Sequence, residues 1–383
     1  MKVAVTGLRG IPDVMGGVET HCEEMLPRVK AIHPNLDITV FARAPYVRNP
    51  EYDFRGVSVV SVSSPVSVWQ EAIVSTFNAI MAARRDGMDV IHIHAIGPAL
   101  LTPLARLLGL KVVVTHHGED YKRAKWGRFP RFALKTGERF GLWFANHVIA
   151  VSPSLTKRLQ QSFPGASNRI SYIPNGAPEL PEVPGDALSR FSLERGKYVL
   201  AVARLVPEKG LHDLVNAHAQ IDDGRKLVIV GGADHASNYS ASLLKLADEN
   251  IIFTGLQDRG TLRELYENAD LFVMPSYHEG LPIAALEAGS CSTPMLLSDI
   301  QPNLDIGLPE SDYFPVGNTG ALAKALSRPT YLYQVDAAEF RRKFDWDQIA
   351  MQTSSVYQKI MGGQGGSKAV AMDNHTKGAS QDQ

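Results

Sequence analysis

The sequence predicts an α/β protein made of two doubly wound parallel-sheet domains in tandem, and three observations predict it. Short β-branched runs alternate with helical patterns, and the runs are too apolar to leave a sheet face in water, so both faces of each sheet are covered. A stretch with four prolines and two glycines, IPNGAPELPEVPG (173–185), can continue neither element type and reads as an interdomain linker, after which the series restarts. A length of 383 residues also exceeds what one hydrophobic core comfortably serves.

In order, the first set of strands is KVAVT (2–6), LDITVFA (36–42), VSVVSV (57–62), DVIHIH (89–94), KVVVTH (111–116), HVIAV (147–151) and RISYI (169–173). The second is KYVLAVA (197–203), KLVIVGG (226–232), IIFTG (251–255), DLFVMPS (270–276) and TPMLLSD (293–299), with helical stretches such as 210–220 and 261–269 between them. A last helix-like segment, FDWDQIAMQTSSVYQKI (344–360), precedes a glycine- and serine-rich end that reads as a disordered tail over 362–383. Sheets of this kind bind ligands beyond the carboxyl ends of their strands, and paired domains turn those ends toward each other across a cleft. Functional side chains are therefore expected just after strands.

Thirty-nine lysines and arginines stand against 40 aspartates and glutamates, a formal net charge of −1, which excludes a globally basic nucleic-acid binder and an acidic disordered chain. The two cysteines, Cys22 and Cys291, form neither a CxxC nor a Cys/His spacing, so no disulfide framework and no metal site is expected. MKVAVTGLRG lacks the apolar core of an export signal, and no run approaches the roughly 18 apolar residues of a spanning helix. A cytoplasmic protein, neither exported nor integral to a membrane, is the expectation.

The loop TGLRGIPDVMGGVETH (6–21) carries Gly7, Gly10, Gly16 and Gly17 ahead of a helix, an arrangement that lets backbone N–H groups approach a phosphate. It also suits a plain tight turn. A dinucleotide fingerprint is incomplete, because Val5 stands where the first glycine would be and the second strand ends with Arg43 in place of an acid. His92 and His94 share a strand face; no third metal ligand has a recognisable spacing, and His94, nearer the carboxyl end, is expected nearer the cleft. THHGED (115–120) sets titratable groups, His117 among them, beside a glycine at a strand end, which suits contact with a reacting ligand or an ordinary turn.

Residues 121–144 hold seven lysines or arginines against a single acid, Glu138, interleaved with aromatic side chains. Such a segment can lie on an anionic membrane or grip an acidic acceptor, with Lys122, Arg123, Lys125, Trp126 and Arg128 as candidate contacts; the alternative is a helix whose apolar face is core. ARLVPEKG (203–210) brings Arg204 and Lys209 to a strand end, where a planar fork and a point charge can neutralise a diphosphate. In SYHEGLPIAALEAG (276–289), Pro282 suits the first helical position, predicting a helix over about 281–288. Glu279 then precedes the helix and Glu287 lies more than a turn inside it, so they do not flank one bond as an acid and a base. They span a ligand, with N–H groups near Gly280 and Leu281 to meet its oxygens and the carboxylates to accept from sugar hydroxyls; a capped helix with an ion-paired glutamate is the alternative.

Together these motifs resemble the retaining glycosyltransferases of family 4, which have the GT-B fold of two Rossmann-like domains facing across a cleft. The resemblance spans residues 1 to about 360 and rests on GGVETH, HHGED, IPNG, ARLVPEKG and SYHEGLPIAALEAG, whose two glutamates with seven residues between them match the family's motif in its shorter Glu-Gly-Leu-Pro form. GLRGIP and HHGEDYKRAKWG look like bacterial surface-polysaccharide hexosyl- or rhamnosyltransferases. The resemblance implies a nucleotide-sugar donor held by the C-terminal domain and a lipid-linked or oligosaccharide acceptor held by the N-terminal one; dTDP-rhamnose and UDP- or GDP-hexoses stay open as donors. It implies Glu287 at the ribose, Glu279 at the transferred sugar, Arg204 and Lys209 at the diphosphate, and Gly16 and Gly17 approaching it from the opposite domain. His117 would sit at the reacting centre, and Gly255 and Leu256 at the nucleobase. No metal or cofactor is implied, the fixed cations taking the place of a metal. The implied domains are 1–178 and 179–343, with a helix at 344–361 crossing back to the first. An enzyme at the inner face of the cell membrane follows, with a sugar-nucleotide epimerase or a catalytically silent binder on the same scaffold as the alternatives.

Overall fold

The computed structural model describes residues 1–66, 70–123, 127–178, 180–181, 185–233 and 237–362; Lys125, Trp126 and the tail from 363 lie outside the described residues. Eight strands form the first sheet: β1 (Lys2–Thr6), β2 (Asp37–Arg43), β3 (Glu51–Phe54), β4 (Val57–Val62), β5 (Val90–His94), β6 (Lys111–His116), β7 (His147–Ala150) and β8 (Ile170–Tyr172). Their order is β3-β4-β2-β1-β5-β6-β7-β8, parallel except where β3 runs antiparallel to β4. The second sheet comprises β9 (Tyr198–Val202), β10 (Lys226–Val230), β11 (Ile251–Gly255), β12 (Leu271–Met274), β13 (Met295–Ser298) and β14 (Tyr313–Phe314), in the order β11-β10-β9-β12-β13-β14 and wholly parallel.

Register decides where the chemistry collects. Thr6 pairs with Ile93 and His94 with Thr115, so β1, β5 and β6 end at one level, and the loops carrying Gly7 to Gly17 and His117 leave side by side. In the second sheet Val202 pairs with Val230, which sets Ala203, just before Arg204, next to Gly231. Each sheet is covered on both faces by buried aliphatic side chains, as strands this apolar require.

The helix Trp346–Ile360 follows the second sheet in the chain but packs on the first, where Trp346, Ile349, Val356 and Tyr357 join Cys22, Met25, Leu26 and Val29 of the helix Gly17–Ile32. Gly176 makes room for it, since a Cβ there would enter the Trp346 ring. Burying Trp346 and Tyr357, which are 3% and 0% exposed, contributes about 2–3 kcal/mol each, enough to hold the segment in place.

The stretch read as a linker runs from the first sheet to the second and is packed, with Ile173, Asn175, Ala177 and Leu180 buried. Two expectations are corrected. β3 and β14 were absent from the predicted strands; β3, EYDF, has no β-branched residue and two acids, and β14 has only two residues. The helix after Glu279 runs Ile283–Ser290, two residues later than predicted, because Pro282 has an extended ψ of 112° and serves as its N-cap.

Candidate active site

A cleft of about 840 Å³ separates the strand ends of the two sheets. His117, Arg204, Lys209, Gly16, Gly17, Leu256, Glu279, Gly280, Leu281 and Glu287 all line it. Gly255 ends β11 just outside that wall, with a φ of 72° that a glycine accommodates. The basic set divides. Arg123 lines the cleft 2.9 Å from Asp120, whereas Lys122 pairs outside with Glu119 at 2.5 Å and Arg128 opens an exposed helix. Among the described residues, no group of three or more His, Cys, Asp or Glu side chains is arranged to hold a metal ion.

On the C-terminal side, the turn after β9 carries Lys209 across to Glu279, Nζ to Oε1 at 2.6 Å, and Ser276 Oγ donates to the same oxygen at 2.7 Å. Burial opposes ionisation of Glu279, but the Lys209 ammonium and the Ser276 hydroxyl outweigh it and hold the carboxyl below its ordinary value. Both of these bonds go to Oε1, and the carboxyl lines the cleft. Glu287 differs. It accepts from the buried Tyr266 hydroxyl at 3.0 Å, and burial, only partly offset by that bond and by Arg259, raises its pKa to about 7. Ile283 and Ala284, at the start of the same helix, also line the cleft, so its N-terminal N–H groups are presented between the two carboxyls.

The N-terminal side meets this wall closely. Gly118 has φ 140°, and a Cβ on it would lie 3.1 Å from Gly280 Cα, while a Cβ on Gly280 would collide with the His117 carbonyl oxygen. Two glycines let the loops touch. Asn175 ties the domains further, its amide donating to Leu281 O at 2.7 Å and its carbonyl facing His21 Nδ1 at 3.0 Å. Arg259 closes the far end of the cleft with an ion pair to buried Glu24. Gly16 has φ 148° and caps the helix Gly17–Ile32, with Arg9 and Glu19 packed against it and paired 3.1 Å apart.

His94 is not at the cleft surface. It is fully buried beneath it and reaches the cleft through His117, whose Nε2 lies 3.0 Å from His94 Nδ1. Sequence reasoning gave no site role to Arg9, Arg43, Asn175, Arg259 or Tyr266. Arg43 ends β2 and pairs with Glu71 at 2.6 Å, and its position at the carboxyl end of a strand was the available signal. Arg259 and Tyr266 sit on a helix whose pattern alone says nothing of Glu24 or Glu287, far away in sequence.

Residues 189–328 match the family model for glycosyl transferases group 1, and residues 15–178 the model for Glycosyltransferase Family 4. Alpha-maltose-1-phosphate synthase of Mycobacterium tuberculosis is 26% identical over 407 residues, covering 94% of this chain and 100% of that protein. The GDP-mannose-dependent alpha-(1-6)-phosphatidylinositol monomannoside mannosyltransferase of Mycolicibacterium smegmatis is 28% identical over 311 residues, 74% of this chain and 77% of that one. Sucrose-phosphate synthase from Thermosynechococcus elongatus has the same fold, with a TM-score of 0.79 at 20% identity over 94% of this chain and 99% of that one. With family matches across both sheet-forming halves and a cleft between their strand ends, the chain belongs to the group 1, family 4 glycosyltransferases of GT-B fold.

Proposed function

We propose that this glycosyltransferase moves a hexosyl or rhamnosyl group from a nucleotide sugar to a hydroxyl of a lipid-linked or glycan acceptor in surface-polysaccharide synthesis, retaining the anomeric configuration without a metal. The observation that carries the reading is the placement of Arg204 and the Lys209–Glu279 pair at the carboxyl ends of the second sheet, opposite Gly16 and Gly17. Arg204 and Lys209 meet the diphosphate, and Gly16 and Gly17 approach it from across the cleft. Glu279 accepts from a hydroxyl of the sugar, Glu287 from the ribose, and Leu256, with Gly255 behind it, borders the base. As the sugar–phosphate bond breaks, its electron pair goes to the diphosphate oxygen, where fixed cations in a water-poor cleft stabilise the growing charge. The acceptor oxygen bonds to the same face of the anomeric carbon, and its proton passes to the departing oxygen.

The acceptor side faces a membrane in this reading. The helix Arg128–Phe144 buries Gly137, Glu138, Gly141 and Leu142 and turns Arg128, Arg131, Lys135 and Arg139 outward with Phe129 and Phe132, which are 79% and 64% exposed. Cations beside exposed aromatics suit an anionic lipid surface. No helix among the described residues is long and apolar enough to cross a membrane, so the contact would be peripheral. The named activity of the mycobacterial mannosyltransferase, GDP-mannose-dependent and directed at a phosphatidylinositol mannoside, supports a nucleotide-sugar donor and a lipid acceptor here.

The test is incubation with UDP-, GDP- and dTDP-sugars, with and without an undecaprenyl-diphosphate-linked sugar, followed by mass spectrometry. Acceptor-dependent release of nucleoside diphosphate with a glycosylated acceptor is the expected result. Conversion of the donor without acceptor would make the enzyme an epimerase, and binding without turnover a silent scaffold; either overturns the proposal.

A further inference from the structure

His117 is the cleft end of a buried chain. Its Nε2 lies 3.0 Å from His94 Nδ1, and the other nitrogen of His94 lies 3.6 Å from Cys22 Sγ. His94 and Cys22 are both 0% exposed, and the three side chains meet directly. The neighbouring rings do not compete for these positions. His92 is occupied on both nitrogens, by Tyr357 OH and Thr115 Oγ1, each at 2.7 Å, and His21 is held through Nδ1 by Asn175.

Burial lowers the pKa of His94 and His117 and raises that of Cys22, so the chain consists of two neutral rings and one protonated thiol. A neutral imidazole has one N–H and one bare nitrogen, which leaves just two ways to write the chain. In one, the Cys22 thiol donates to His94 Nε2, His94 Nδ1–H donates to His117 Nε2, and His117 carries its proton on Nδ1. In the other, both rings carry Nε2–H, His94 donates to sulfur, and His117 Nδ1 is bare. A bare imidazole nitrogen accepts well and a thiol sulfur poorly, so the first ordering uses the thiol proton and wastes no strong acceptor. His117 lines the cleft, and its Nδ1 has no hydrogen-bond partner among the described residues.

We propose that Cys22 and His94 are positioning residues that fix His117 in the Nδ1–H tautomer, so that it offers a hydrogen-bond donor, not a base, to an oxygen of the bound sugar. This rests on the reading of the cleft as a nucleotide-sugar site. It gives Cys22 a part in the reaction although it never touches substrate.

The experiment is histidine-selective ¹⁵N NMR of the ligand-free full chain near neutral pH, with the His117 signals identified by their loss in His117→Gln, alongside steady-state kinetics. The parent and Cys22→Ser, whose hydroxyl can also donate, should show Nδ1–H on His117. Cys22→Ala, or the closer-sized Cys22→Val where alanine does not fold, should shift His117 toward Nε2–H and lower kcat roughly tenfold with little change in KM, about the worth of one oriented hydrogen bond. An Nε2–H tautomer in the parent, or an unchanged tautomer in a folded alanine or valine variant, overturns the proposal. The tautomer is read without ligand, so a failure of the cleft reading shows separately, as unchanged turnover in His117→Ala.

Discussion

Glu279 and Glu287 stand eight positions apart and are each 9% exposed, yet their surroundings push their proton affinities in opposite directions. Lys209 and Ser276 stabilise the Glu279 carboxylate, whereas Glu287 has a neutral Tyr266 hydroxyl and an Arg259 already paired with Glu24. For Glu287 the folded pKa of about 7 exceeds the ordinary value of 4.5, so between those pH values the folded protein holds a proton that the unfolded chain releases. Stability then falls as pH rises through that window. Relative to the parent, Glu287→Gln should gain up to about 3 kcal/mol in urea unfolding at pH 8 and little at pH 4.5. For Glu279, whose pKa is depressed, the sign reverses: its contribution is present above pH 4.5 and is lost as pH falls through its folded value. In catalysis, Lys209→Ala and Glu279→Ala should each lower kcat by about 10²-fold or more, and the double variant should lose far less than the product, because the two side chains form one unit. Multiplicative losses would separate them.

At the scale of elements, the glycine contact between the loops after β6 and before the helix Ile283–Ser290 sets how closely the domains approach. A Cβ on Gly280 collides with a backbone carbonyl, which cannot move as the end of a flexible side chain can. Gly280→Ala should therefore hold the cleft open and reduce kcat at least roughly tenfold, with a larger radius of gyration by solution scattering in the presence of nucleotide. An alanine variant of parental activity and size would mean that the loops are not in contact during turnover. The outer face of Arg128–Phe144 makes a different prediction: Phe129→Ser with Phe132→Ser should weaken binding to anionic vesicles while changing stability by about 0.5 kcal/mol or less, since neither side chain is packed. The strand pattern was legible because apolar runs of five or more residues leave a clear period. Helix starts and two-residue strands were not, because Pro282 can be an N-cap or a first helical residue without any change in sequence.

For the whole molecule, two sheets, a cleft at their carboxyl ends and a last helix packed on the first sheet follow from alternation, register and the buried faces of Trp346 and Tyr357. The residues that line the cleft were legible where they sit in local motifs, as with Arg204, Lys209, Glu279 and Glu287. Those that join the halves were not. Glu24 with Arg259, Asn175 with Leu281 and Ser154 with Asp305 are pairs made by domain placement, and nothing near either partner in sequence announces the other. In the proposed function a nucleoside diphosphate is held between Arg204, Lys209 and the opposite glycine loop. The most direct measurement of this is thermal unfolding of the full chain with UDP, GDP and dTDP, repeated on the folded Arg204→Ala/Lys209→Ala variant. At a hundredfold excess over Kd, one nucleotide should stabilise the parent by about 2.7 kcal/mol and leave the double variant unmoved. Equal stabilisation of both proteins, or none by any nucleotide, would contradict the account.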